Sequence, residues 1–79
     1  MFLSRQQRLA KLRILAAVEG FPTVHDLIAA VVHDSVSPGI CVRQGCDYTC
    51  QVEPDQDMGW CEECRTQTVQ SVLVLPGLI

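Results

Sequence analysis

With 79 residues, a formal net charge of −3 and 19% charged residues, the chain has room for one domain and no general excess of cations for holding phosphates. A core of this size contributes only roughly 3–5 kcal/mol, so a staple is expected to supplement it. The opening M-F-L-S-R-Q-Q-R meets polar and basic residues before any apolar run begins, unlike a signal peptide, and no segment is long enough to cross a bilayer. Five cysteines without a secretion signal favour thiolate–metal chemistry over disulfides, as does their odd number, and the expected location is the cytoplasm.

In chain order, the first expected element is a helix from about Arg5 to Val18. Ser4 followed by Gln7 makes a capping box at its start, and Gly20 ends it. Arg5, Arg8, Lys11 and Arg13 crowd its first three turns, whereas Ile14 to Val18 are apolar nearly all round. Cations in a first turn oppose the helix macrodipole, which marks these four as a partner-contact surface to weigh against a solvated basic face. A second helix is expected from the N-cap Thr23 to about Asp34, with Val24, Leu27, Ile28, Val31 and Val32 on one face. His25 and His33 lie eight residues apart, about 12 Å along a helix, too far to share one ion.

Ser37-Pro38-Gly39 reads as a break in the helical pattern that delivers the chain to Cys41. From there to Cys64 the sequence holds every cysteine. Cys61-x-x-Cys64 has the spacing with which one turn presents two thiolates to a tetrahedral ion. The other pair comes from Cys41, Cys46 and Cys50. Asp47 to Glu53 alternates as a strand with Tyr48, Cys50 and Val52 on one face, so Cys50 reads as a strand residue. Cys41 and Cys46 bracket a loop ending in Gly45, which tolerates the positive φ a tight turn needs. The expected ligands are therefore Cys41, Cys46, Cys61 and Cys64 around one structural Zn2+, with a quartet using Cys46 and Cys50 left open. A rubredoxin-like iron site would use the same S4 geometry. An iron–sulfur cluster is a weaker match, because Cys41-x4-Cys46-x3-Cys50 is one residue longer than the plant-type run. Trp60 is expected to shield the metal or pack on the helices. Thr66 to Leu75 is expected as a further strand, with the uncharged Leu73–Ile79 run tucked into the core or used in a subunit contact.

Gly39-Ile40-Cys41, Gly45-Cys46-Asp47-Tyr48-Thr49, Val52-Glu53-Pro54-Asp55-Gln56 and Gly59-Trp60-Cys61-Glu62-Glu63-Cys64 resemble the corresponding parts of zinc-ribbon proteins, in particular short bacterial and bacteriophage proteins ending in a G-W-C-E-E-C knuckle. The resemblance spans roughly Pro38 to Ile79 and implies a fold more than an activity. Cys50 is the departure from it. The expected architecture is a small α+β metal-stapled domain, 1–79, with a helical hairpin over 1–36 and an antiparallel zinc ribbon over 37–79.

Four thiolates leave a metal no open position, so an enzyme is not expected. Residues 1–19 carry four cations against one acid, a net of 4 − 1 = +3, and residues 20–79 carry two against eight, a net of 2 − 8 = −6. An acidic ribbon is poorly suited to phosphates. The expectation is a protein-interaction or regulatory module whose partner is another protein, contacted through Arg5, Arg8, Lys11 and Arg13 of the first helix or through the acidic ribbon edge. A nucleic-acid-binding regulator using the basic first helix is the alternative. Self-association is expected through the apolar end of that helix or the C-terminal tail.

Overall fold

The computed structural model describes residues 3–78. In it two helices, α1 (Arg5–Glu19) and α2 (Val24–Val31), precede four strands, β1 (Ser37–Cys41), β2 (Thr49–Val52), β3 (Gly59–Cys61) and β4 (Thr66–Ser71). The helix ends follow local chemistry. Ser4 accepts from the Gln7 amide at 3.1 Å while the Gln7 side chain accepts from the Ser4 amide at 2.7 Å, closing the capping box. Thr23 caps α2 by accepting from the Asp26 amide, and α2 ends at Val31, a few residues before Asp34. No single helix among the described residues is long and apolar enough to cross a membrane; the two reach that length only together, across a 67° bend.

The strands form one curled antiparallel sheet in the order β2-β1-β4-β3. One of its two inner strands, β1, begins with the Ser37-Pro38-Gly39 stretch, which breaks the helical pattern as expected and is itself already part of the sheet. Pro38 lacks a ladder donor, but β4 ends at Ser71, just where that donor would be used, and the Pro38 carbonyl still accepts from Val72 at 2.9 Å. Gly39 is there for space. A Cβ at this position would lie 2.8 Å from the Val52 side chain and 2.9 Å from that of Val69, which close over the bare backbone from β2 and β4.

Leu12, Leu15 and Ala16 of α1 meet Leu27 and Val31 of α2, Ile40 of β1, and Val72, Leu73 and Leu75 of the tail in one buried cluster. The tail is not a continuation of β4. The Ser71 hydroxyl accepts from the amides of Leu73 and Val74 at 3.2 and 3.1 Å and donates to the Pro54 carbonyl, and Leu75 donates to the Ser71 carbonyl. The chain therefore curls inward after Ser71, ending the strand expected to reach Leu75. Val72, Leu73 and Leu75 are consumed by the chain's own core rather than left for a subunit contact, whereas Leu78 is exposed and Ile79 lies outside the described residues.

Two buried serines make a paired test. Ser71 satisfies two amides and a carbonyl, whereas the Ser37 hydroxyl is buried without a partner. Denaturant unfolding should show Ser71→Ala destabilised by about 1–3 kcal/mol and Ser37→Ala unchanged or more stable. In the same assay Gly39→Ala should lose about 1–3 kcal/mol through the clash with Val52 and Val69.

Candidate metal centre

Cys41 closes β1 and Cys61 closes β3, with β4 lying between them in the sheet. A flat sheet would hold those two strands roughly 9–10 Å apart. The curl brings them together with Cys46 and Cys64 from the following turns, so that all four Sγ atoms lie within 4.8 Å of one another. Cys41 and Cys64 approach to 3.9 Å and Cys46 and Cys61 to 3.7 Å. Four thiolates at 2.3 Å from a tetrahedral centre stand about 3.8 Å apart, so these spacings fit an ion at the middle of the group. The four cysteines are positioned to hold a metal ion.

Both turns are shaped by backbone hydrogen bonds. Between Cys41 and Cys46 the Cys46 amide donates to the Arg43 carbonyl at 3.2 Å, and Gly45 takes φ +82° to close the loop. Between Cys61 and Cys64 the Cys64 amide points at the Cys61 sulfur at 3.3 Å, and Arg65 donates to the Cys61 carbonyl at 2.7 Å with a left-handed φ of 56°. From β4, Thr66 and Thr68 form a short hydroxyl chain that ends on the Cys41 sulfur at 3.1 Å.

The thiols divide electrostatically. Burial opposes ionisation of Cys41, but hydrogen bonds from Thr68, the Arg43 backbone and the neighbouring thiols of Cys46 and Cys61 outweigh it and bring the group down to about 7. Cys64 is pushed up to about 12, by its contact with Cys46 and then by burial. Cys46 has an amide hydrogen bond from Tyr48 that favours its thiolate, yet burial and the Cys41 and Cys61 sulfurs together raise it. Adjacent thiols sharing a site resist simultaneous ionisation, and a cation among them removes that resistance by displacing their protons.

A support for this centre was not visible in the sequence. Lys11, expected on an exposed contact surface, is 6% exposed. Its Nζ donates to the Arg43 carbonyl at 2.8 Å and to the Cys46 carbonyl, and pairs with Asp47 at 3.3 Å. One ammonium thereby ties α1 to the turn that carries Cys46. It also places a positive charge beside a group whose four thiolates around a divalent ion would carry a net charge of about −2.

Other expected residues separate around the cluster. Cys50 lies in β2 opposite Gly39, packed beside the sulfurs but outside the group of four, and burial raises its thiol. Trp60, expected to shield the metal or pack on the helices, belongs to neither buried cluster. The alternation of β3 turns Gly59 and Cys61 inward and Trp60 outward on an edge strand, 49% exposed. Arg5, Arg8 and Arg13 are exposed, as are His25 on α2 and His33 in the turn after it. Comparison of the chain with protein-family models, curated proteins and solved structures gives no match.

Mutants separate the thiols by role. Cys46→Ser should abolish stoichiometric metal binding while Cys50→Ser leaves metal content unchanged, measured by elemental analysis of purified protein. Lys11→Met should retain the stoichiometry but bind metal about 10–100-fold more weakly in competition with a chromophoric chelator, because the turn carrying Cys46 loses its tether.

Proposed function

We propose that Cys41, Cys46, Cys61 and Cys64 hold one structural Zn2+ in a zinc-ribbon-like arrangement, and that the protein is a small interaction or regulatory module rather than an enzyme. The observation that carries this reading is the spacing of the four sulfurs, which suits a tetrahedral ion with all four positions filled by protein. A filled coordination sphere leaves no place for water or substrate on the metal, so its role is to hold the strand ends and turns together. Structural zinc sites of this kind contribute on the order of 10–16 kcal/mol, more than a core of this size supplies by itself.

The interaction role is supported by what remains at the surface. Exposed Met58 and Trp60 lie at the β3 edge among the acids Asp55, Asp57, Glu62 and Glu63, and exposed arginines line α1. The burial of Lys11 subtracts a cation from the helix on which the nucleic-acid alternative depends. Around the cysteines, Arg43 and Arg65 are outnumbered by exposed acids.

Protein purified from ordinary growth medium should contain about one zinc per chain, be colourless, and lose cooperative unfolding when a strong chelator is added. Stoichiometric iron with visible absorption would replace zinc by a rubredoxin-like centre. In a gel shift near physiological salt, duplex DNA should bind only weakly and with steep salt dependence. Sequence-selective nanomolar binding would overturn the interaction reading in favour of a nucleic-acid regulator.

A further inference from the structure

The four cations of α1 have two different fates. Lys11 turns inward to the cysteine-bearing turn, and its pair with Asp47 is the one ion pair among the described residues. Arg5, Arg8 and Arg13 are exposed with no carboxylate partner there. With Leu9, Leu12 and Ala16 they fall at i, i+3, i+4, i+7, i+8 and i+11, which is one continuous stripe of a helix. Two open depressions meet on this stripe at Leu9. One, of about 660 Å³, lies between Arg5, Arg8, Leu12 and the tail residue Pro76. The other, of about 510 Å³, lies between Arg13, Ala16, Phe21 and Val24.

The stripe has an apolar floor and a cationic rim. Leu12 and Ala16 form its buried floor, and Leu9 stands 40% exposed between the two depressions. No acid occupies the first turn of α1, so its positive helix end and Arg5 and Arg8 add to one another without local compensation. Such a surface is matched by a ligand that brings apolar side chains and negative charge together. From Arg5 to Ala16 the helix rises about 16 Å, the length of three turns of a second helix.

We propose that this face of α1 is a docking groove for an acidic amphipathic helix of a partner protein, an inference that rests on the interaction reading above. Helix-in-groove recognition uses apolar anchors spaced at i, i+3 or i+4 and i+7, which would seat around Leu9 with Asp or Glu reaching the three guanidinium groups. A duplex would use the arginines but gain nothing from the apolar floor, and the net −6 of residues 20–79 opposes it. A second copy of the chain is a poorer match. Its acids Asp55, Asp57, Glu62 and Glu63 lie on turns around β3, and its α2 carries only Asp26 within the helix.

The test is selection of displayed helical peptides, about twelve to sixteen residues long, on the zinc-loaded 79-residue chain near physiological salt. Enriched sequences should combine apolar residues at i, i+3 or i+4 and i+7 with flanking Asp or Glu. Measured by fluorescence anisotropy, their affinity should fall about tenfold or more in the Arg5→Glu, Arg8→Glu, Arg13→Glu triple variant and in Leu9→Ser. Both variants alter exposed positions, and their zinc content and circular dichroism should match the parent protein. An absence of enrichment, or enriched peptides that bind both variants normally, overturns the groove. Enriched peptides that instead lose affinity with Trp60→Ser leave the interaction reading standing on the β3 edge while removing it from α1. Tight binding of a duplex or of anionic lipid vesicles, lost in the triple variant, overturns the groove and the protein-interaction reading together.

Discussion

Everything in the second half of this protein is arranged by the requirement that four sulfurs from two strands and two turns converge within 4.8 Å. Cys41 and Cys61 belong to strands with another strand between them, and hydrogen bonding alone would keep those strands apart. The sheet meets the requirement by curling, and it pivots on small or absent side chains. Gly39 lets Val52 and Val69 close over β1, and Gly59 lies against Val69 at the irregular start of β3. The sulfurs, with Val69 beneath them, form a buried cluster separate from the one between helices and sheet.

Two small clusters need a connection, and α1 provides it through Lys11. The buried Leu12, Leu15 and Ala16 fix α1 against α2, β1 and the tail, while Lys11 on the same helix reaches the carbonyls of Arg43 and Cys46. Burying an ammonium is costly unless its donors are satisfied, and here two carbonyls and a carboxylate satisfy it. The residue is specific to this geometry. An arginine has a planar fork in place of a compact tip and would not serve the same converging acceptors. A metal held by the turn would thereby be coupled to the packing of α1, since each would restrict the position of Cys46.

The same division gives the surface its character. With Lys11 withdrawn, the outward face of α1 is a row of arginines beside apolar side chains, and Met58 and Trp60 at β3 are exposed between the acids Asp57 and Glu62 in the chain. These surfaces are unlike each other in charge and alike in exposing apolar area next to charge.

The amino-acid sequence by itself determined the features that depend on near neighbours in the chain. Ser4 with Gln7, Thr23 with Asp26, Gly20 after α1, the turn ending in Gly45 and the Cys61-x-x-Cys64 turn are all closed within a few residues, so their chemistry is legible in order. What only the tertiary structure decided depends on partners far along the chain. Pro38-Gly39 ends the helical pattern, which is legible locally, but its place in an inner strand depends on β4 ending beside Pro38 and on two valines filling the space above Gly39. Val72 to Leu75 has the composition of a strand, yet Ser71 turns it into the core by taking its amides. Lys11 is one of four cations on a helix until the turn between Cys41 and Cys46 folds against it, and a side chain's burial is set by what reaches it, which spacing along one element does not encode.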